Sequence, residues 1–405
     1  MNLDTRELAA TFDLERLTPE FYADPYPTYR ALRETEPVKR LPNGSYFLTR
    51  YDDLVAAYKN TKAFSSDKKK EFSPKYGASL LYEHHTTSLV FNDPPAHTRV
   101  RRLIMGALSP RAIAGMEPDL VRLVDRLLDA IASKGKVDLI DDFAAAIPIE
   151  VIGNLLDVPQ DEREPLRNWS LAILGALEPV IGPDAFARGN KAVKDFLSYL
   201  EGLVARRRTN PGNPDRDVLT RLIQGEDNGE RLTEKELLHN CIFLLNAGHE
   251  TTTNLIGNGA HALLTQREQW QRLLSDPSLL GTAVEELLRF ESPLQLNNRL
   301  STAPMQIGDV ELPAGSFITL AIGSANRDPT HFDQPDRLDV GRKPNPHLAF
   351  GQGAHACAGM NVARLEARIA FGRLLTRCPD LQLRGQPQRD PRIRFRGWRM
   401  LPVAP

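Results

Sequence analysis

The chain reads as mainly α, a single large multihelical unit spanning residues 1–405 with small β-sheets. Three observations predict this. Apolar residues recur at spacings of three and four over long stretches, the period of a helix with one buried face. Extended, alternating segments are few and short. No regular alternation of strand and helix appears, so a large parallel sheet is not expected.

The elements follow in order. "VKRLPNGSYFLTR" sets Asn43-Gly44 between extended apolar segments, the pair that a tight primed hairpin turn prefers. "MEPDLVRLVDRLLDAIA" (116–132) and "AVKDFLSYLEGLVARRR" (192–208) carry the helical period. "NPGNPDRD" (210–217) reads as a loop. Thr233 and Glu236 have capping-box spacing, and the apolar pattern runs from there to about Leu264, predicting a long central helix over about 233–264. "PSLLGTAVEELLRF" (277–290) is a helix stopped by Ser292-Pro293. "MQIGDVELPAGSFITLAI" (305–322) alternates and turns at Gly308 and Gly315. "NVARLEARIAFGRLLTR" (361–377) is a final helix.

Composition limits the function classes. The chain has 405 residues, 41% of them hydrophobic, and a formal net charge of −1, so no global field draws in nucleic acid or an anionic membrane. The cysteines are Cys241, Cys357 and Cys378. An odd count without a CxxC pair argues against a disulfide framework and against a cysteine-rich zinc site. No secretory signal and no apolar run of about 20 residues is present. A cytoplasmic protein without membrane or nucleic-acid partners is expected, and a monomer.

The stretch "FGQGAHACAG" (350–359) surrounds one cysteine with three glycines and a histidine. A lone cysteine is ordinarily a small buried apolar residue. Here Gly351 and Gly353 admit backbone conformations closed to other residues, Gly359 leaves the far side uncluttered, and a helix N-terminus follows closely. Such surroundings stabilise a thiolate against a large flat partner. The pattern F-G-x-G-x-H-x-C-x-G resembles the haem-binding signature of the cytochrome P-450 family, the haem-thiolate monooxygenases of soluble bacterial type. Ala358 departs from the Leu that is frequent there.

By that resemblance Cys357 ligates the iron of haem b, with Phe350, Gly351 and Gly359 packing around the macrocycle. Glu286 and Arg289, at i and i+3, resemble the ExxR motif, and Arg337 matches its third partner. His97, Arg101, Arg299 and His355 match the residues that hold the haem propionates. "AGHETTT" (247–253) resembles the distal A-G-x-[DE]-T segment: Ala247 and Gly248 face the haem, Thr251 stabilises bound dioxygen, and Glu250 relays protons. His249-Glu250 is not a zinc-protease motif, since Thr253 stands where a second histidine is required. A glycine next to hydroxyl residues is also where a helix can open its hydrogen-bond ladder, and this is expected at Gly248. The resemblance runs from "DPYPTYRALR" (24–33) to "RGWRMLPV" (396–403).

It implies insertion of one atom of O2 into an apolar small molecule. Electrons from NAD(P)H arrive through a ferredoxin and its reductase, because no flavin or nicotinamide fingerprint is present. Family placement puts Val90, Leu174, Leu244, Leu294, Gln295, Leu296, Asn297 and Trp398 at the substrate pocket. Gln295 and Asn297 either orient a substrate oxygen or satisfy backbone groups. Arg99, Arg102, Arg111, Arg364 and Arg368 either dock an acidic ferredoxin or are ordinary solvated arginines. Two other readings are a peroxide-driven peroxygenase and a non-catalytic haem-thiolate sensor; the Glu250-Thr251 pair favours the monooxygenase over both.

Overall fold

The structure, a computed structural model, describes residues 5–134, 136–214, 217–225, 229 and 231–404. It is mainly α, as the apolar periods predict. Its axis is the helix Glu234–Thr265, 32 residues and so about 48 Å long. Thr233 and Glu236 form the predicted capping box: the Thr233 hydroxyl oxygen accepts from the Glu236 N–H, and the Glu236 carboxylate accepts from the Thr233 N–H at 2.9 Å. Most of the helix beyond its first turn is buried all round, which explains its weak amphipathicity. Leu237, Ile242, Leu245, Leu255 and Ile256 enter the main apolar core together with residues of Pro110–Ala132, Pro183–Thr209 and Met360–Arg377. Among the described residues no helix is long and apolar enough to cross a membrane.

Two helices begin earlier than their apolar periods indicate. Pro110–Ala132 is started by the Ser109 side chain, which accepts from the Ala112 N–H, and by Pro110 in the first turn. Pro183–Thr209 likewise starts on a proline. Residues 277–279 form a 3₁₀ turn before the α-helix Leu280–Phe290. Within the expected 210–217 loop the described residues form no helix or strand; residues 215 and 216 lie outside the description.

The largest sheet has five short strands, in the order Val38–Arg40, Tyr46–Leu48, Phe317–Ala321, Leu296–Ser301 and Phe64–Ser65. Only the pairing of Tyr46–Leu48 with Phe317–Ala321 is parallel. The hairpin at Asn43-Gly44 is present but not as a two-residue primed turn. Gly44 alone has positive φ (+82°), and residues 41–45 make the connection, closed by bonds between Leu41 and both Gly44 and Ser45. Antiparallel pairing of Arg299 with Ile318 fixes the register of Leu296–Ser301, whose Leu296 and Asn297 line the same cavity as Cys357. Among the described residues three smaller sheets complete the β content, one of them joining Val137–Asp138, Pro402–Ala404 and Gln382–Leu383.

Candidate active site

Residues 350–359 leave the core as a loop that ends on the helix Met360–Arg377. Gly351 and Gly353 have φ of +63° and +70°, the left-handed region where a Cβ is strained. A Cβ on Gly353 would also stand 2.5 Å from the Tyr58 carbonyl oxygen. The Cys357 N–H donates to the Phe350 carbonyl at 2.9 Å, closing the loop on itself. Gly359 has open space where a Cβ would be. The Cys357 thiol is half-buried and lines an internal cavity of about 310 Å³. Burial pushes its pKa up, while the Gly359 N–H and the charges of Arg101 and Arg364 act the other way. Cys241, by contrast, is buried and pushed up to about 12, an inert packing residue.

A buried polar network fixes this loop from behind. Arg289 donates to both carboxylate oxygens of Glu286, at 2.7 and 2.8 Å, and both side chains are fully buried. Its other donors reach the carbonyls of Asn326, Pro335 and Arg337. Here the sequence expectation needs correction. Arg337 contributes only its carbonyl; its guanidinium is exposed and reaches Gln334. The side chain that completes the network is Arg342, whose Nε donates to Glu286 at 3.0 Å. Arginines are frequent in this segment, and the motif spacing alone did not tell which one turns inward. The Asn326 side chain then accepts from the Leu348 N–H at 2.6 Å, just ahead of the cysteine loop. A second clamp holds the other side: Arg364 and His347 both bond Glu285. Burial raises the Glu285 carboxyl, but these partners outweigh it and hold it at about 2.

Four basic side chains gather at the cavity without a carboxylate partner among the described residues. His97, Arg101 and His355 line it, with the two imidazole rings 4.0 Å apart. Arg299 lies beside them, 4% exposed, and donates only to Asn297 and the Asn298 carbonyl. Both ring nitrogens of His97 and Nε2 of His355 are buried with no hydrogen-bond partner. Burial and the neighbouring cations hold His97 below its usual pKa and His355 at about 3. Buried donors without acceptors are costly, and charge-assisted bonds to carboxylates would satisfy them. The cluster therefore fits the two propionates of a haem, and the open face at Gly359 fits its ring.

The central helix supplies the opposite wall. Ala247, Gly248 and Thr251 line the cavity. The Thr251 hydroxyl donates to the Ala247 carbonyl at 2.8 Å. The helix runs unbroken through Gly248, contrary to the expected opening. Its glycine serves packing instead, because a Cβ there would collide with Ile152. Glu250 is buried just off the cavity lining. Its Oε1 accepts from Arg392 at 2.6 Å and from Asn254 at 3.2 Å, while Oε2 has no partner. Burial raises its pKa against the pull of Arg392.

Of the expected substrate contacts, Val90, Leu174, Leu244, Leu294, Leu296 and Asn297 line the cavity. Gln295 and Trp398 do not. The Gln295 amide turns away and donates to the Ser292 carbonyl at 2.8 Å, which is its backbone-satisfying alternative. Trp398 packs instead against His261, with ring centroids 4.2 Å apart, and against the Arg389 guanidinium, 3.6 Å from the indole ring. Glu366 was missed. It lines the cavity from the cysteine-side helix, accepts from Thr252 at 3.3 Å, and leaves Oε1 unpartnered. Burial pushes it up to about 8. A signal for it exists: Glu366 stands four residues after Val362, an acid on an apolar helical stripe.

A glycine-cradled cysteine, a carboxylate-seeking cation cluster and a hydroxyl-bearing helix around one cavity define a haem-thiolate oxygenase. Residues 173–402 match the protein family described as Cytochrome P450. The chain is 39% identical to cytochrome P450 107B1 of Saccharopolyspora erythraea, across 97% of this chain and 98% of that one. It is 36% identical to the biotin biosynthesis cytochrome P450 of Bacillus subtilis, across 95% and 97%. Among solved structures it is similar to P450BioI in complex with an acyl carrier protein carrying hexadec-9Z-enoic acid, with TM-score 0.90, 36% identity and coverage of 96% and 100%. The chain belongs to the cytochrome P450 family. It is accordingly a monooxygenase that uses haem b, O2 and electrons from NAD(P)H delivered through a reductase.

Proposed function

We propose that the whole chain works as one unit in which Cys357 is the iron ligand and His97, Arg101, Arg299 and His355 hold the propionates. The observation that carries this is the set of orphaned His97 and His355 nitrogens in a cation cluster on the Cys357 cavity. Haem held there supplies the chemistry of O2 activation and oxygen insertion. The residues set its conditions. Glu286, Arg289 and Arg342 hold the loop rigid behind the thiolate. The apolar wall from Leu174, Leu244 and Leu294 admits a small apolar substrate and excludes water. Thr251, whose proton is spent on the Ala247 carbonyl, keeps its oxygen lone pairs turned to the cavity, where they accept a hydrogen bond from a protonated ligand or a water. Glu250, with Oε2 unpaired, moves protons inward by turning from Arg392.

Electrons come from a ferredoxin and its reductase, docking on the face of the cysteine loop. Arg99 bonds Glu236 and Arg364 bonds Glu285; by exposure on this face, Arg102, Arg111 and Arg368 are the candidates for contact. The protein acts as a monomer in the cytoplasm. The test is product formed per NAD(P)H consumed with a ferredoxin system. Thr251→Ala should retain substrate binding and NAD(P)H consumption while product per electron pair falls about tenfold or more. Unchanged coupling in Thr251→Ala would remove Thr251 from its role.

A further inference from the structure

The cavity has a second polar corner, formed by side chains other than those of the cation cluster. Arg394 lines it. Its Nε donates to the Leu177 carbonyl at 2.7 Å, Nη1 to the Leu296 carbonyl at 3.2 Å, and Nη2 to the Asn298 side-chain oxygen at 2.6 Å. All three acceptors are neutral, and two of its five N–H donors remain unspent. Arg101 and Arg364 are the arginines whose charge acts on Cys357; Arg394 is not among them.

His85 faces the same cavity, 1% exposed, with Nε2 buried and unpartnered. Burial, together with the charges of Lys75 and Arg394, keeps its imidazole neutral, with a pKa of about 3. One ring N–H is therefore available as a donor. Lys75 donates to the Glu178 carbonyl at 2.7 Å. Two acids stand nearby, Glu71, which is engaged, and Glu178, whose Oε1 is buried without a partner. Glu71 is bound to Lys68 at 2.8 Å. Glu178 accepts the main-chain N–H groups of Ile393 and Arg394 at 3.0 and 3.2 Å. Three cations, Lys68, Lys75 and Arg394, thus stand against two carboxylates, leaving one positive charge in surplus at this corner of the cavity. Such a charge is stabilised by an anion arriving with the ligand.

We propose that the substrate is an amphipathic carboxylic acid whose carboxylate is held by Arg394 and His85. Its apolar body lies along the leucine-rich wall toward Cys357. Oxidation then falls on carbon remote from the carboxylate. This rests on the monooxygenase reading and narrows its substrate class.

The test uses the full-length, haem-loaded protein. Octanoic, dodecanoic and hexadecanoic acids are titrated beside the methyl ester and the alcohol of each length, followed by the Soret shift and by calorimetry. In the wild type an acid should bind on the order of tenfold to a hundredfold tighter than its ester or alcohol, as expected for hydrogen bonds to a charged group. Arg394→Gln should abolish that preference without weakening the alcohol, and Arg394→Lys should restore part of it. Should Arg394→Gln fail to fold, the wild-type ranking decides, with His85→Phe as the second variant. Acids that bind no better than esters and alcohols at every length, or a preference undiminished in Arg394→Gln, overturn the proposal. The reduced, carbon-monoxide-bound spectrum of each sample separates the two failures. A thiolate-type spectrum with no acid preference defeats only the carboxylate site, whereas loss of that spectrum in the wild type defeats the monooxygenase reading beneath it.

Discussion

Substituting the three arginines around Glu286 one at a time separates the motif expectation from the observed network. Arg289→Met removes both bonds to a carboxylate that is 0% exposed and leaves it near a single remaining charge. Breaking a buried pair in this way costs about 3–5 kcal/mol. Arg342→Met removes one charge-assisted bond to Glu286 along with bonds to the carbonyls of Asp333, Gln334 and Arg337, but Glu286 keeps Arg289 and the Asp339 N–H, so the loss is about 1.5–3 kcal/mol. Arg337→Met leaves the Arg337 carbonyl, its only contribution to the network, in place, and the change stays within about 0.5 kcal/mol. Urea midpoints of the haem-loaded variants, read by far-ultraviolet dichroism and by the Soret band, give the ranking. If Arg337→Met destabilised the protein as much as Arg289→Met while Arg342→Met was neutral, the assignment of the third arginine would be refuted.

Further outcomes are expected at single sites. Gly353→Ala combines a φ of +70° with a contact to the Tyr58 carbonyl, so it should cost at least about 2 kcal/mol in thermal unfolding. Gly359→Ala meets no protein atom and should leave the polypeptide folded, yet haem content per chain should fall. Trp398→Phe should leave ligand affinity within about twofold, whereas Leu244→Ala, on the cavity wall, should weaken an apolar ligand about tenfold or more, both read by calorimetry. Glu366 gives a pH dependence. Its carboxyl is raised from 4.5 to about 8 in the fold, so the folded chain holds a proton that the unfolded chain releases between those values. Stability from this group is greatest below the unfolded value and declines as pH rises toward about 8. Glu366→Gln should flatten that decline when unfolding midpoints are compared at about pH 5 and about pH 8, and an unaltered slope would show that Glu366 is not its source.

Much of this was legible in the sequence, for identifiable reasons. The central helix announces itself because Thr233 and Glu236 cap locally and its apolar period is long. Cys357 stands out because three glycines flank it at fixed offsets, and two of them, Gly351 and Gly353, do adopt positive φ. Local signals failed where a side chain's direction is set by tertiary packing. Arg337 and Arg342 look alike in sequence, and only the packing of their segment against Glu286 turns one inward. Gln295 and Asn297 sit two apart on one extended stretch, yet Ser292 captures the first while the second faces the cavity. Gly248 carries the expected residue type for a different reason, the approach of Ile152. Arg394 gave no signal at all, because what sets it apart, three acceptors that are all neutral, is a matter of tertiary packing.

The central claim is that Cys357 holds the haem iron as a thiolate. The most direct measurement is the absorption spectrum of the purified protein, reduced and bound to carbon monoxide. The account predicts a Soret band far to the red in the wild type, lost in Cys357→His. A band at the position of imidazole-ligated haem in the wild type, or a protein that takes up no haem, would contradict it.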